Sequence, residues 1–283
     1  MRVALVTCRP LPEPDRDEAL LLEALRARDI AAEVVAWNDA PQPETFDLWV
    51  PRSTWDYHVQ LDRFLGWAAH VAARSRLLNP LHLLRWNAQK TYLRELRERG
   101  VPVVRTSFVR CGSDEPLREI CRFHGWDDVV VKPVVSAGSA GTRRFRPDAL
   151  ADGEAFLRDE TSRRDMMVQA YMPDVELGGE RSLVYIDGEL THSMRKHPRL
   201  DGQDEHVTGP LPIADDERAT AEMALRPFRE RLLYARVDMV RDASGLPVIM
   251  ELELIEPSLF LAQHPPALER MADAVARAAR KRP

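Results

Sequence analysis

The sequence predicts a chain that opens as a small parallel α/β unit and continues as α+β with antiparallel sheets. Three observations carry this. Over residues 1–80, apolar runs of strand length alternate with amphipathic runs of helical length, the rhythm of βαβ units. Further on, strands come in hairpins: RSLVYI and ELTHSMRK flank Asp187-Gly188, and YARVDMV and LPVIMELEL flank Ala243-Ser244-Gly245. Asp-Gly between alternating runs is a strong short-range hairpin signal. The 283 residues, 45% hydrophobic, are ample for one large domain or two to three small ones.

Taken in order, residues 2–7 read as a buried strand, 17–28 as a helix, and 31–37 and 46–51 as further strands. The stretch 59–75 is helical, and Asn79-Pro80 breaks it. A helix over 81–99 is stopped by Gly100 and Pro102. Strands follow at 106–110 and 129–135, with a helix at 115–124 between them. After a Gly/Ser loop come a strand at 143–145, a helix at 148–160 and a strand at 166–172. The first hairpin, a helix at 215–232, the second hairpin and a helix at 266–280 complete the chain. The boundaries divide it into 1–80, 81–165 and 166–283.

Composition excludes several classes. A net charge of −5, with both signs mixed, leaves no electrostatic footprint for nucleic acid. No apolar run approaches the roughly 18 residues of a membrane span, and MRVALVTCRP suits a first strand better than a signal peptide. Cys8, Cys111 and Cys121 are far apart without CxxC pairing, which fits a reducing cytoplasm. The apolar stripe of the last helix suits either internal packing or a second subunit in a homodimer.

Four stretches carry chemistry. On the last hairpin, Glu251 and Glu253 are two residues apart and share a strand face, with Asp238 opposite. Three carboxylates on one face repel unless neutralised, and a hard divalent cation does this; a solvated edge hairpin is the equally weighted bland explanation. In VVVKPVVSAGSAGT, Lys132 sits in an apolar strand, where an unpaired ammonium is costly, and small residues follow that let an anion approach backbone N–H groups. A surface turn with a paired lysine explains it too; the loop is neither a Walker A loop nor GxGxxG. MMVQAYMPDVELGGE suits the hinge of a ligand pocket, and SMRKHP ends a hairpin arm with Arg195 and Lys196.

In this order, the four motifs resemble the ATP-grasp superfamily over roughly residues 80–262, and among its members the glutathione synthetase and ribosomal-protein glutamate ligase group. The resemblance implies a small N-terminal α/β domain followed by two α+β subdomains that clasp ATP. It implies that Lys90 and Lys132 contact the nucleotide, with Ser136, Gly138, Ser139 and Gly141 in the loop over the phosphates. Gln169, Ala170, Tyr171 and Met172 would face adenine and Glu176 the ribose. Arg195 would act with Lys132 on the transferred phosphoryl group, and Asp238, Glu251 and Glu253 would ligate Mg²⁺. Many members have Asn in place of Glu253, so the extra charge bears on metal number.

The implied reaction activates a carboxylate as an acyl phosphate for attack by an amine, largely through positioning and charge neutralisation. Substrate choice falls to PRSTWDYH at a strand end, where α/β folds bind ligands. Arg52 would clamp a carboxylate, and Ser53, Thr54, Asp56 and Tyr57 an amine or hydroxyl, with Thr7, Cys8 and Arg9 beside them; a capped turn is the bland alternative. Cys8 is expected as a buried thiol. PRSTWDY, WNAQKTYL, KPVVSAGS, GERSLVYI and ELELIEPSLF together also resemble the ATP-grasp subgroup that includes the ligase closing the D-cycloserine ring from an O-amino-D-serine-type substrate. An intermolecular ligase of small amino acids and a non-catalytic nucleotide-binding module are the competing expectations.

Overall fold

Residues 1–197, 206–228 and 232–281 are described in a computed structural model. The first sheet is parallel, in the order β2-β1-β3-β4, from β1 (Arg2–Thr7), β2 (Ala31–Ala36), β3 (Leu48–Ser53) and the short β4 (Arg76–Leu77). β1 (RVALVT) is filled by Val, Leu and Ala, and β3 (LWVPRS) opens on Leu, Trp and Val; both are buried on both faces, as a central parallel strand requires. Helices α1 (Glu18–Arg26) and α2 (Leu61–Ala72) are the crossovers. The strands end at Thr7 and Ser53, so the loops that follow gather at one edge of this sheet.

The second sheet runs β5-β8-β6-β7, from β5 (Thr106–Val109), β6 (Val129–Pro133), β7 (Arg143–Phe145) and β8 (Met166–Ala170), all antiparallel neighbours. Helices α5 (Leu117–His124) and α6 (Leu150–Thr161) cover it through Leu117, Ile120 and Leu157. The third sheet runs β11-β10-β9-β12-β13, from β9 (Glu180–Ile186), β10 (Glu189–Lys196), β11 (Val207–Thr208), β12 (Tyr234–Arg241) and β13 (Pro247–Glu253). Both expected hairpins are there.

Three expectations shift. The helix expected over 81–99 divides into α3 (Leu81–Asn87) and α4 (Tyr92–Glu98), because the Lys90 N–H goes to the Val134 carbonyl 2.9 Å away and not to an earlier turn. The helix expected over 215–232 is α8 (Asp215–Leu225), and its last expected residues run into 229–231, outside the described residues. The one-turn α7 (Asp174–Leu177) had no sequence signal. The terminal helix α9 (Pro265–Arg280) turns its stripe inward: Met271, Ala272, Val275 and Ala279 are buried in the core shared with α1, β1 and β3, so this face is covered within the chain. Among the described residues no helix is long and apolar enough to cross a membrane.

The outer edge of β13 is closed by side chains. Asn87 takes the Leu254 N–H and gives to the Leu252 carbonyl, both at 2.7 Å, and the Tyr92 hydroxyl takes the Leu252 N–H at 3.0 Å. Asn79 likewise bridges the Leu254 and Tyr234 carbonyls and the Leu233 N–H. These amides complete a ladder that would otherwise be left open and buried, and they fix the acid-bearing strand against α3 and the first sheet.

Candidate active site

Register decides which groups meet. Asp238 pairs with Glu251 on one side and Ser182 on the other, and Arg236 pairs with Glu253. On β9 and β10, Ser182 pairs with Met194 and Glu180 with Lys196. Directly paired residues point the same way, so Glu180, Ser182, Lys196, Arg236, Asp238, Glu251 and Glu253 share one face of the third sheet.

The acids on this face are neutralised by the protein itself. Asp238, fully buried, accepts from Ser182 Oγ at 2.7 Å, Lys196 Nζ at 2.6 Å and the Arg236 guanidinium at 2.8–3.1 Å. Burial alone would raise its carboxyl; Arg236 and Lys196 reverse that and hold it below the ordinary carboxylate range. Glu253 pairs with the same Arg236, and Glu251 with Lys90 at 2.9 Å. Lys196 also pairs with Glu180 at 2.9 Å. Burial pushes Glu180 and Glu253 up to about 7, only partly offset by Lys196 and Arg236. Glu251 is lowered, because Lys90 and Lys132 outweigh its burial.

Lys132, on β6, is 8% exposed; burial lowers its pKa and Glu251 offsets part of that. Lys90 gives 2.6 Å and 3.3 Å hydrogen bonds to the Ser136 carbonyl and hydroxyl, fastening the start of the glycine loop. In that loop Gly138, Ser139 and Gly141 all have positive φ, and a Cβ on Gly141 would come within 3.0 Å of Pro133 and Arg164. Gln169 is buried and donates to Thr106 Oγ1 at 2.9 Å, and its pairing with Val130 puts it on the same face of the second sheet as Lys132. Ala170 and Tyr171 give their N–H groups to Arg105 and Asp128. Beside the hinge Met172, Val175, Val240, Val248 and Met250 form a small apolar cluster with Val104 that the sequence did not single out. Glu176 lies outside the charged face, paired with Arg144 at 2.5 Å and hydrogen-bonded to Tyr171.

Several predicted site residues are not brought in. Arg195 pairs across the ladder with Arg181, on the face opposite Asp238. There it lines a separate cleft with Arg181, Glu217 and Arg241. The period of two puts Lys196 where Arg195 was expected. Tyr57 is packed in the first sheet's core against Phe64, at a ring distance of 5.4 Å, and burial, with the negative charges of Glu256 and Glu251, raises its hydroxyl well above its ordinary value. Asp56 accepts from Trp37 Nε1 at 2.6 Å, and Ser53 bonds Thr7 at 3.0 Å. Arg52 and Thr54 are buried, and Arg52 Nη1 and Thr54 Oγ1 have no hydrogen-bond partner. Cys8 is a buried thiol, raised by that burial, with Sγ 3.6 Å from the Pro10 carbonyl.

The fit to magnesium is uneven. Glu251 and Glu253 offer hard oxygen donors on one face, and Glu253 and Glu256 are raised by burial and by neighbouring negative charge, which a cation relieves. Asp238 has both oxygens committed to Arg236, Lys196 and Ser182. Among the described residues no three His, Cys, Asp or Glu side chains converge as a metal cluster. The three expected carboxylates share one face, each paired there with a cation of the chain itself. The missed residue is Arg236, which counting by two from Asp238 along β12 would have found; Lys196 and Glu180 were noted in the hairpin arm and the hinge loop, but only the ladder brings them to this face.

Two α+β sheets with buried lysines, a positive-φ glycine loop and an acid–base face define an ATP-grasp ligase, an ATP-dependent enzyme that forms C–N bonds. A family model for the D-cycloserine synthetase DcsG N-terminal domain matches residues 3–79. The cycloserine biosynthesis protein DcsG of Streptomyces lavendulae is 32% identical over 291 aligned residues, covering 97% of each chain. The crystal structure of D-cycloserine synthetase DcsG superposes with a TM-score of 0.90 at 31% identity, covering 99% of this chain and 100% of that one. An ATP-grasp ligase, PsnB, complexed with a minimal precursor, Mg and ADP, shares the fold at 19% identity, with a TM-score of 0.67 over 99% of this chain and 98% of that one. The chain belongs to the DcsG family of ATP-grasp ligases.

Proposed function

We propose that this enzyme activates the carboxylate of an O-amino-D-serine-type substrate and closes it to the D-cycloserine ring. The observation that carries this is similarity to the cycloserine protein along 97% of both chains. In the first step a carboxylate oxygen attacks the γ-phosphorus of ATP, the bond to the bridging oxygen breaks, and ADP leaves. In the second the neutral aminooxy nitrogen attacks the acyl carbon, loses a proton, and phosphate departs.

Lys90 and Lys132 bind the polyphosphate, and Ser136, Gly138, Ser139 and Gly141 close over it. The backbone of residues 170–172 holds adenine beside the apolar cluster at Met172 and Met250, and Glu176 reaches the ribose. Lys196 and Arg236, buried on the acid face, take the charge-stabilising role first expected of Arg195. Glu251 and Glu253 would hold magnesium, which supplies charge neutralisation at the phosphates when bound. Arg52 orients the substrate.

The test is ADP release with Mg–ATP over a panel of small amino acids, products read by mass spectrometry. A cyclised, water-loss product from the aminooxy substrate is expected. Turnover only with two separate amino acids would make the enzyme an intermolecular ligase instead. ATP binding without turnover of any carboxylate would refute the substrate assignment.

A further inference from the structure

We propose that Arg144 is the residue that positions Glu176 for the ribose of the nucleotide, and that with Tyr171 it makes the enzyme select a ribonucleotide over a deoxyribonucleotide. This rests on the ATP placement proposed above, in which Glu176 reaches the ribose.

Register puts Arg144 on the nucleotide side. Val130 pairs with Arg144 across one ladder and with Gln169 across the other. Paired residues point the same way, as do Val130 and Lys132 two positions on, so Arg144 shares a face of the second sheet with Lys132. The other face is the covered one, where Val129, Val131 and Phe145 pack with Leu117 and Ile120 of α5 and Leu157 of α6. Arg144 also follows the glycine loop closely, since β7 begins at Arg143.

The guanidinium is held from several sides. Nε and Nη2 donate to the Asp128 carboxylate at 2.6–3.2 Å. Its central carbon lies 3.3 Å from the centroid of the Tyr171 ring, a stacked cation–π contact. The Tyr171 N–H goes to the Asp128 carbonyl at 2.9 Å, so ring and acid are fixed to each other. Nη1 is left to donate to Glu176 Oε1, at 2.5 Å. Glu176 stands on α7, which is fastened to the third sheet: Asp174 accepts the Arg241 N–H through Oδ2 at 2.9 Å. The Arg144–Glu176 pair therefore joins the second sheet to an element held by the third.

An ion pair this exposed adds little to stability, and the Glu176 side chain is 55% exposed. What the pair supplies is orientation. A free glutamate at the surface samples many rotamers and loses that freedom on binding; this one is already held. The Tyr171 hydroxyl bonds it as well, and burial, together with that bond, raises the hydroxyl to about 12, so it stays protonated and donates. Tyr171 and Arg144 in turn lower the Glu176 carboxyl, which keeps it ionised. An ionised carboxylate accepts at about four lone-pair sites. Arg144 and Tyr171 use one each, and the remainder matches the two hydroxyls of a ribose, both of them donors.

Calorimetric binding of Mg–ATP, 2′-deoxy-ATP and 3′-deoxy-ATP, without acceptor substrate, tests this in the wild type, Arg144→Ala and Tyr171→Phe. The wild type is expected to bind ATP roughly 10-fold more tightly than either deoxy analogue, the loss of one hydrogen bond to a charged group. Arg144→Ala should weaken ATP roughly 10-fold and leave both analogues within about threefold, so that the preference collapses. Tyr171→Phe keeps the ring under Arg144, removes only the hydroxyl, and should narrow the preference roughly threefold. Equal weakening of all the nucleotides with the preference intact would make Arg144 merely structural and overturn the inference. If Arg144→Ala does not fold, Tyr171→Phe decides, and an unchanged preference there overturns it. A wild type without the preference would overturn the ribose placement of Glu176 and this inference with it. A wild type that shows the preference, loses it in the variants and yet turns over no aminooxy acid would refute the ring-closing reading while supporting this inference.

Discussion

Glu253→Gln isolates a single charge that the folded protein resists. Burial, with Asp238 and Glu251 on the same face, pushes this carboxyl from 4.5 up to about 7 despite Arg236. Such a rise corresponds to about 3 kcal/mol of differential stability. The side chain is 22% exposed, and solvent screening brings the working figure to about 2 kcal/mol. The sign follows from proton counting. Between pH 4.5 and about 7 the folded chain keeps a proton that the unfolded chain has released, so stability falls as pH rises through that window. Gln imitates the protonated form and keeps an oxygen for Arg236. Without nucleotide, the variant should therefore melt roughly 5 °C above the wild type at pH 8, and the two should converge near pH 5. Scanning calorimetry at the two pH values measures this directly. A melting difference that does not change with pH, or a variant less stable than the wild type at pH 8, would refute the reasoning.

Other substitutions separate neighbours that the sequence treats alike. Lys196→Ala strips a cation from buried Asp238 and should cost about 3–5 kcal/mol in denaturant unfolding, with a large loss of kcat; Arg195→Ala, on the opposite face, should leave kcat/KM within about threefold, as for a surface change remote from the chemistry. Lys132→Met should raise KM for ATP roughly 10- to 100-fold in steady-state assays, through the loss of a charge-assisted contact. Tyr57→Ala should cost about 3–5 kcal/mol of stability by opening a cavity against Phe64, whereas Tyr57→Phe should leave KM for the amino acid unchanged.

What the sequence made legible were features set by local pattern. Alternation fixed both hairpins, and the period of two correctly put Glu251 and Glu253 on one face with Asp238 opposite. Lys132 stood out because an ammonium in an apolar strand demands a partner. The errors arose where a side chain's role depends on which face it takes or on what lies above it. Arg195 and Lys196 are adjacent and chemically alike, so only the ladder register, through Glu180 and Ser182, selects Lys196. Tyr57 looked like part of a polar cluster because Arg, Trp, Asp and Tyr stand together; its burial depends on Phe64, seven residues on, turning inward from α2.

The acids show the same limit at the level of charge. Asp238, Glu251 and Glu253 on one face imply that something positive must sit among them, and that inference from repulsion is sound. Composition cannot say whether the positive charge is a metal or the chain's own side chains. Here Lys90 comes from the break between α3 and α4, Lys196 from β10 and Arg236 from β12, three segments brought together only by the fold. Because each acid already has a cation, a metal entering between Glu251 and Glu253 must exchange partners with Lys90 and Arg236. Lys90 is placed for that exchange: it lies 2.6 Å from the carbonyl at the start of the glycine loop and 2.9 Å from Glu251. A phosphate drawing it toward the loop would release the carboxylate that the metal needs, so nucleotide and metal should bind with positive coupling at this face.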